Sequence, residues 1–223
     1  MIKVKNLPKD PFVLACSGGP DSMAALHFFV RSGKSVTALY VNHGTDGSTA
    51  AENLVRDFCK KSNTPFLTSM ISKDKSKDTS REEFWRNERY KIFHSFKKPV
   101  VTVHHLNDSV ETWIFSSLHG QGKIIPKENQ NVIRPFLLTE KEAFLDYCKN
   151  NNVPFVLDPS NLDTSFMRNK IRHELMPLAL QVNPGLLKVV RKKVLLEYNQ
   201  NDVDKKNQIA PCQKKNDSVK MAP

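Results

Sequence analysis

The feature of this sequence that most constrains its fold is a regular alternation of short apolar runs with segments of helical spacing. Residues 12–16 (FVLAC) and 35–42 (SVTALYVN) have the apolar and β-branched content of buried strands, and residues 21–31 between them place apolar side chains at helical intervals. The alternation continues with predicted helices at 48–62, 80–96, 107–118 and 139–149 and predicted strands at 65–71, 99–103, 131–134 and 154–157. Strands separated by helices of this length predict βαβ units, and therefore an α/β fold with a Rossmann-like parallel sheet and helices on both faces.

Local signals refine two of these helices and the loops around them. A serine or threonine followed three residues later by glutamate is a capping box, and this pattern at Ser80 and Glu83 and at Thr139 and Glu142 predicts two helix N-termini. Residues 73–78 (KDKSKD) and 120–130 are predicted to be loops. Ligands of parallel sheets bind at the carboxyl ends of the strands, so we expect the chemistry in the loops after the first, second and fourth strands.

Composition restricts the class of partner more than it restricts the fold. The chain has 34 lysines and arginines against 23 acidic residues, a net charge of +11, which favours a polyanionic partner such as nucleic acid. No stretch approaches the roughly 18 apolar residues of a membrane helix, and the first residues show no secretory signal, so we expect a cytoplasmic protein without a membrane partner. Four scattered cysteines without a CxxC pair argue against a disulfide framework, an iron–sulfur site or a zinc knuckle.

The length of the chain suits one large domain with a short appendage. We expect the domain at 1–187 and, at 188–223, a helix followed by a basic tail, a segment with nine lysines and arginines against four acidic residues. From Asn199 onward the sequence has almost no large apolar residues, which predicts disorder. A solvated terminus without a function explains this composition as well as a nucleic-acid anchor does.

The loop after the first strand, residues 17–22 (SGGPDS), is predicted to bind an anion. Gly18 and Gly19 allow a tight turn and a close approach of the backbone to a ligand, and Pro20 suits the first turn of the following helix. The loop amides and the positive end of the helix dipole then point at one place, where the hydroxyls of Ser17 and Ser22 are further donors. The loop is neither a GK[ST] nor a GxGxxG motif, and an ordinary βα turn explains the bare SGG equally well.

Two further segments place polar side chains near that loop. His43 ends the second predicted strand in VNHG (41–44), where a ligand contact and a polar strand end without a role are the alternatives. In RNERYKIF (86–93), the spacing puts Arg86, Arg89 and Tyr90 on one helical face, which suits contact with a phosphate or a base. A solvated face paired with neighbouring glutamates explains the same spacing.

The segment 103–112 (VHHLNDSVET) follows the fourth predicted strand and contains two carboxylates three residues apart, Asp108 and Glu111. That spacing puts both on one side of a helix, where they can hold an ammonium group, hold Mg²⁺ or act as a base. The two histidines before them lack the HExxH spacing of a zinc protease, so no zinc site is predicted.

The last motif, residues 157–177, combines a turn signal with arginines at helical spacing. DPSN (158–161) predicts a turn or a helix cap. Arg168 and Arg172 are four residues apart and share one helical face, with Asn169 beside them. Two guanidiniums in that arrangement suit an anionic phosphate or an RNA backbone.

Together these segments resemble the tRNA(Ile)-lysidine synthetase family of PP-loop ATP pyrophosphatases, from about residue 12 to residue 185. SGGPDS matches the pyrophosphate-binding loop of that superfamily, and the other segments resemble the family patterns VDHGLR, AR-x-x-RY, HH-x-DD-x-x-ET, IRPLL (here VIRPFL, 132–137) and DxSN…RNxIRxxxLP. Asn42, Thr45, Asp46 and Asn107 depart from these patterns, and Asn107 removes a charge from any Mg²⁺ site that would use it. Longer family members have further domains that help grip the tRNA, so we expect a short form without them.

The resemblance implies an adenine nucleotide alpha hydrolase-like fold with a catalytic domain at 1–187. The implied reaction is ligation of L-lysine to C2 of the wobble cytidine of tRNA(Ile) with a CAU anticodon, through an adenylated cytidine, with release of AMP and pyrophosphate. ATP and Mg²⁺ are the implied cofactors, and no metal site is assigned except a candidate Mg²⁺ ligand, Asp21. Family members are often dimeric, which makes a homodimer a further expectation.

The resemblance also implies a role for each candidate residue. ATP would contact the loop at Ser17, Gly18, Gly19, Pro20, Asp21 and Ser22, together with His43. Catalysis would use Asp108, Glu111, Asp21 and His43, and the first two would also bind the lysine. Contacts with tRNA or phosphate would come from Arg86, Arg89, Arg168, Asn169 and Arg172. The alternatives are a tRNA thiolase of the same superfamily, disfavoured by the missing cysteine pairs, and a non-catalytic nucleotide- or RNA-binding homologue.

Overall fold

Short strands form the sheet in the part of the chain that the computed structural model describes, residues 1–44, 47–71 and 80–209. They are β1 (Phe12–Ala15), β2 (Val36–Asn42), β3 (Phe66–Met70), β4 (Val100–Val101), β5 (Glu128–Asn129) and β6 (Val132–Ile133). Their order is β3-β2-β1-β4-β6-β5, and every neighbouring pair is parallel except β5 and β6. The predicted parallel sheet is confirmed. β5 is an addition within the segment predicted as a loop at 120–130, because a two-residue strand is too short to show a period.

Eight α-helices are present in the described ranges. They are α1 (Pro20–Arg31), α2 (Ser48–Lys61), α3 (Arg81–His94), α4 (Leu106–Leu118), α5 (Lys141–Asn150), α6 (Met167–Lys170), α7 (Met176–Val182) and α8 (Leu186–Ile209). A 3₁₀ turn spans Pro159–Leu162, and a π-helical turn, Ile171–Leu175, joins α6 to α7. The predicted loop at 73–78 and the departures at 45 and 46 lie outside the described residues.

The two faces of the sheet bury different helices. Successive side chains of a strand point to opposite faces, and along β1 Phe12 and Leu14 belong to one apolar cluster with residues of α1, α2 and α5. Val13, between them, belongs to another cluster with Phe93 of α3. Helices therefore cover both faces, as predicted.

A third apolar cluster attaches α8 to the domain. Val110 and Ile114 of α4 pack with Val190, Val194 and Tyr198 of α8, which recur every four residues and so share one helical face. The helix starts at Leu186 and crosses the predicted domain boundary at 187. Its packed first half supplies the costly helical nucleus, after which each further residue adds one backbone hydrogen bond.

The backbone of α8 continues to Ile209, past the start of the tail predicted from Asn199 onward. Residues 210–223 of that tail lie outside the described residues. Disorder of the tail stays a prediction.

Of the two helix N-caps predicted from the capping-box pattern, the one at Ser80 is confirmed and the one at Thr139 is wrong. The Ser80 hydroxyl accepts from the Glu83 amide at 3.1 Å and caps α3. Thr139 does not cap α5, whose N-cap residue is Glu140 and has no side-chain cap. The buried Thr139 hydroxyl instead accepts from the Lys3 amide at 2.9 Å and donates to the Lys3 carbonyl at 2.7 Å, so the N-terminal segment uses the group that the local pattern assigned to the helix.

The strand predicted at 154–157 is also wrong, since these described residues form no strand. The Val156 amide donates instead to the Gly18 carbonyl at 2.9 Å. This bond attaches the segment to the loop after β1, so its apolar residues serve the loop and not the edge of the sheet.

Candidate active site

A cavity of about 430 Å³ lies at the carboxyl ends of β1, β2 and β4. β1 lies between β2 and β4, so the chain leaves β1 and β4 toward opposite sides and a crevice opens between them. Most of the predicted site residues line it, namely Ser17, Asp21, Ser22, His43, Arg86, Arg89, Asp108, Arg168, Asn169 and Arg172. Gly18, Gly19 and Pro20 are not in its lining, and neither is Glu111, which borders a second cavity.

The loop after β1 is shaped by its own hydrogen bonds. The Ser22 hydroxyl accepts from the Ser17 amide at 3.1 Å and donates to the Gly19 carbonyl at 3.0 Å. Gly18 has φ +81°, and a Cβ there would lie 3.1 Å from the Cβ of Ala51 in α2. Gly19 is the N-cap of α1 and Pro20 occupies its first turn, as predicted. Gly18, Gly19 and Pro20 thus set the path of the loop, while Ser17, Asp21 and Ser22 face the cavity.

Asp21 is a half-buried carboxylate, and one of its oxygens is buried without a partner in the part of the chain that the structure describes. Its Oδ1 is buried and has no hydrogen-bond partner among the described residues, while Oδ2 lies 3.8 Å from Nε2 of His105. Burial raises the pKa of Asp21, and the attraction of His105 opposes that rise only in part. An acid oxygen in this state is suited to a cation or a donor from a ligand, because pairing would recover the cost of its burial.

Asp108 and Glu111 of α4 face the two arginines of the last motif, forming what we term the carboxylate–arginine cluster: Asp108, Glu111, Arg168 and Arg172. Glu111 Oε1 accepts from Nε of Arg172 at 2.6 Å, and its Oε2 accepts from NH2 of Arg172 at 3.0 Å and from Nε of Arg168 at 3.3 Å. Asp108 Oδ1 lies 3.3 Å from NH2 of Arg172 and 3.7 Å from NH2 of Arg168. The side chain of Glu111 is only 2% exposed, whereas the arginine side chains are 23% and 32% exposed.

The second oxygen of Asp108 belongs to the start of α4. Asp108 Oδ2 accepts from the His105 amide at 2.9 Å, and Nδ1 of His105 accepts from the Asp108 amide at 3.2 Å, which is a reciprocal cap of the helix. Burial raises the pKa of Asp108, but His105, Arg168 and His104 together overcome that effect, so its net pKa is well below the usual range. Asp108 is therefore ionised across the physiological range.

Asn107 serves a different part of the fold from its neighbour Asp108. Its side-chain oxygen accepts from the Lys141 amide at 3.0 Å, at the first turn of α5. An aspartate oxygen could accept the same bond, so the departure from the family pattern keeps this contact.

On the opposite side of the cavity, His43 packs against a residue that sequence reasoning missed. Its ring centroid is 5.3 Å from that of Trp85 in α3, and its Nδ1 is buried without a partner among the described residues. Burial, and then the charge of Arg89, lower the pKa of His43 to about 4, so its ring is neutral at pH 7. Trp85 immediately precedes Arg86, but no spacing rule singled it out.

The predicted face of α3 is present and has a buried support. The Arg86 guanidinium lies 5.0 Å from the Tyr90 ring centroid, over its face. The Tyr90 hydroxyl accepts from NH2 of Arg134 at 2.7 Å, and NH1 of Arg134 donates to the Pro126 carbonyl at 2.7 Å. Arg134, from the segment VIRPFL, is 2% exposed and was not among the predicted site residues.

The polar residues of the last motif hold its own backbone in shape. Asp158 accepts from the Ser160 amide at 2.9 Å and caps the 3₁₀ turn, which confirms the predicted turn. The side-chain amide of Asn169 donates to the carbonyls of Ser160 and Asp163 at 2.8 and 2.9 Å. Nε2 of His173 lies 2.7 Å from the Asn161 carbonyl oxygen. These bonds fold the segment back on itself and present Arg168 and Arg172 to α4.

A second cavity, of about 480 Å³, adjoins the first. The two share Arg86, Tyr90, His104 and Arg168 as lining residues. Apolar atoms form most of its surface, which comes largely from Phe115, Ile124, Ile125, Pro126, Met167 and Ile171. The polar residues Ser80, Glu83, Glu111, Thr112, Asn129 and Arg134 complete its lining. The carboxylate–arginine cluster therefore stands between two spaces, one polar and one largely apolar.

The described residues contain neither a cluster of metal-binding side chains nor a membrane-spanning helix. No three His, Cys, Asp or Glu side chains there lie close enough together to hold a metal ion. None of the helices in those ranges is long and apolar enough to cross a membrane.

The chain is similar to the proteins of one known family. Residues 2–179 match the profile of the PP-loop domain. The chain is 31% identical over 204 residues to a tRNA(Ile)-lysidine synthase of Haemophilus ducreyi, covering 84% of the chain and 46% of the relative. It is 33% identical over 196 residues to the Bacteroides thetaiotaomicron protein of that name, covering 81% and 46%. The chain thus spans about half the length of these curated relatives.

Likeness to solved structures is weaker. An NH3-dependent NAD synthetase from Campylobacter jejuni has 16% sequence identity and a TM-score of 0.46, over 86% of this chain and 87% of that one.

Proposed function

The chain belongs to the PP-loop domain family, and from that premise we propose that it is an ATP-dependent tRNA-modifying ligase of the lysidine synthase type. It would join L-lysine to C2 of the wobble cytidine in tRNA(Ile) with a CAU anticodon, consuming ATP and releasing AMP and pyrophosphate. Relatives bearing the name tRNA(Ile)-lysidine synthase at about 30% identity support this assignment.

The observation that carries the proposal is the meeting of two kinds of group in one cavity. A loop with an exposed serine hydroxyl, that of Ser17, followed by the N-terminus of α1 suits the phosphates of a nucleotide. Asp108, on the opposite side, begins a carboxylate pair that suits an ammonium group. A ligase that uses ATP to attach an amine needs both kinds of group within reach of one reaction centre.

The first chemical step would activate the cytidine. O2 of the base attacks the α-phosphorus of ATP, the bond to the bridging oxygen breaks, and pyrophosphate leaves. Negative charge grows on phosphate oxygens during this step, and the loop amides, Ser17, Ser22, Arg168 and Arg172 are positioned around the cavity to stabilise it. Neutral His43 and Trp85, at the far side, suit contact with the nucleotide base.

The second step would form the new bond. The neutral side-chain amine of lysine attacks C2, the C2–O2 bond breaks, and AMP leaves with the oxygen. Free lysine is protonated at pH 7, so a base must accept a proton from the amine. Glu111 would accept this proton, whereas the lowered pKa of Asp108 suits it better to holding the ammonium form of lysine. The largely apolar second cavity beside Glu111 suits the cytosine ring.

Asp21 fits a Mg²⁺ ion that arrives with ATP. Its buried Oδ1 has no partner among the described residues and its pKa is raised by burial, so a cation bound there would compensate the cost of the carboxylate's charge. Mg²⁺ keeps most of its ligands from water and phosphate, so one protein carboxylate is sufficient. When bound, the ion would neutralise charge on the phosphates.

The tRNA would be held by basic groups at and beyond the cavity rim. Arg86 is exposed on α3 and lies over Tyr90, and the segment 188–223 carries a basic surplus. We therefore propose that affinity for tRNA falls steeply with added salt, as expected where lysines and arginines displace counterions. The cytoplasmic location and the homodimer stay predictions.

The decisive experiment incubates the protein with ATP, Mg²⁺, L-lysine and tRNA(Ile) bearing a CAU anticodon, then measures pyrophosphate and the mass of the digested nucleosides. The expected result is pyrophosphate release and a cytidine heavier by one lysine less one water. The same tRNA with uridine at the wobble position is the control and should gain no lysine. If neither pyrophosphate nor the heavier cytidine forms, the proposal is wrong, and retained binding of ATP and tRNA would then favour a non-catalytic homologue.

A further inference from the structure

Every oxygen of Asp108 and Glu111 is already occupied in this structure. Both oxygens of Glu111 and Oδ1 of Asp108 are taken by Arg168 and Arg172, and Oδ2 of Asp108 accepts from the His105 amide. Glu111 is almost fully buried beneath these arginines. An ammonium group that approaches Glu111 therefore competes with arginines that already hold both of its oxygens.

The two arginines also face the place where an anion is expected. Arg168 and Arg172 line the first cavity together with Ser17 and Ser22 of the loop after β1. Both arginine side chains are partly exposed there, unlike Glu111. Two kinds of anion are thus within reach of the arginines in this cavity. One is the pair of buried carboxylates that bind them in this structure, and the other is a polyphosphate bound at the loop.

We propose that nucleotide and lysine bind by an exchange of partners within the carboxylate–arginine cluster. The polyphosphate of the nucleotide draws Arg168 and Arg172 away from Glu111 and Asp108, and the ammonium of lysine takes their place on the carboxylates. Each ligand then supplies the charge that the other leaves unpaired. This inference rests on the proposed function, because it takes ATP and lysine as the ligands of the two sides.

The energetic reason for coupling is the cost of a buried unpaired charge. Lysine alone must displace arginines that have no anion to receive them, and nucleotide alone must strip a carboxylate that is 2% exposed. When both bind, every charge has a partner again. Coupling of this kind typically changes affinity between about 5-fold and 150-fold, equally for the two ligands.

The backbone under the arginines contains a feature that suits such a shift. Arg172 lies within the π-helical turn Ile171–Leu175, and Arg168 lies in the short helix α6 before it. π turns inside α-helices recur at functional sites, and they loosen the regular ladder of hydrogen bonds. A change of partner for both arginines would therefore need only a local adjustment.

The test is isothermal titration calorimetry on the wild-type chain without tRNA, so that no reaction follows. The ligands are L-lysine and an ATP analogue with a methylene bridge between the α and β phosphates, each titrated alone and in the presence of the other. We expect the affinity for lysine to rise about tenfold when the analogue is present, and the affinity for the analogue to rise by the same factor when lysine is present.

A double variant gives a stricter test, because it should change the affinities for lysine and for the analogue in opposite directions. In Arg168→Gln/Arg172→Gln the carboxylates lose the groups that cover them, so lysine alone should bind more tightly than to the wild type, the analogue more weakly, and the coupling should vanish. General damage to the fold would weaken both ligands together. The matched control is Arg191→Gln, which removes an arginine paired with Glu140 away from both cavities and should keep the coupling.

The outcomes separate the inference from the proposed function. If both ligands bind the wild type but neither affects the other, the exchange is wrong while the proposed function stands. Weaker binding of lysine in the presence of the analogue would also overturn the exchange. If neither lysine nor the analogue binds, the proposed function fails and the exchange fails with it.

Discussion

The loop after β1 and the carboxylate–arginine cluster lie on two sides of one cavity and are built on opposite principles. The loop closes its own hydrogen bonds through Ser17 and Ser22, yet its carboxylate Asp21 has an oxygen without a partner among the described residues. In the cluster, by contrast, every carboxylate oxygen is occupied. The loop is arranged to receive a ligand, whereas the cluster must rearrange before it can.

Two groups that line the same cavity therefore need not be equally ready to bind a ligand. Burial raises the pKa of Asp21 because little compensates for it, and the surrounding positive groups lower the pKa of Asp108 despite its burial. The ionised form is therefore a cost to the fold at Asp21 and a benefit at Asp108. Stability and function should respond differently to changes at the two places.

The largest expected effect compares the two carboxylates directly. Glu111→Gln leaves two arginines short of their main partner and should lower the free energy of unfolding by about 3 kcal/mol, at the lower end for buried pairs because both arginines can reach solvent. Asp21→Asn removes a charge that the fold disfavours, so the stability should stay the same or rise. Urea unfolding followed by circular dichroism measures both. An equal loss of stability in the two variants would contradict the contrast.

A smaller effect tests how tightly the loop is fitted. Gly18→Ala adds a Cβ 3.1 Å from the Cβ of Ala51 at φ +81°, whereas Gly33→Ala has φ +67° and nothing within 4 Å. The backbone cost of a positive φ, about 1 kcal/mol, is common to both. Gly18→Ala should therefore lower the melting temperature further and abolish pyrophosphate release. If the two variants have the same melting temperature and both still release pyrophosphate, close packing of the loop on α2 contributes to neither stability nor activity.

The pH dependence of stability separates the two sides of the cavity. The folded pKa of His43 is about 4, below the ordinary value of 6.5, so the unfolded chain takes up a proton first and stability falls as the pH drops from 6.5 toward 4. Each unprotonated histidine contributes at most about 1.4 kcal/mol per pH unit over that range. Asp108, with a lowered pKa, loses its contribution only at lower pH.

His43→Gln should reduce the slope of unfolding free energy between pH 6.5 and pH 4 without abolishing it, because burial also lowers the pKa of His104, to about 3. The acid limb below pH 4 should stay in place. Denaturant titrations at a series of pH values measure this. An unchanged slope in the variant would mean that His43 is not held neutral by the fold.

The smallest effect concerns Asn107, the neighbour of Asp108. Because its oxygen accepts from the Lys141 amide at the start of α5, Asn107→Asp should keep that bond and alter the unfolding free energy by less than about 1 kcal/mol. Pyrophosphate release should change little, since Asn107 faces α5. A large gain in activity or in Mg²⁺ affinity would show instead that this position belongs to a metal site.

Most of the fold follows from patterns of short range, which the sequence displays directly. The βα alternation, the glycines and proline of the loop after β1 and the turn at Asp158 were predictable because each depends on residues within a few positions of one another. The predictions failed where a local group found a distant partner. Thr139 binds Lys3 in place of capping α5, and Val156 binds the Gly18 carbonyl in place of a strand.

The sequence by itself identified most of the predicted residues that line the cavity, since loop, strand-end and helix positions can be read from periodicity and from the resemblance, but it did not identify Trp85 or the buried Arg134. Only the tertiary structure decided how they pair. Arg168 and Arg172, whose contact with a phosphate stays a prediction, lie in this structure on Glu111 and Asp108, 57 to 64 residues earlier in the chain. Spacing along a helix states which side chains share a face, but the partner of a charged group is set by which elements the sheet brings together and by the cost of leaving a buried charge alone.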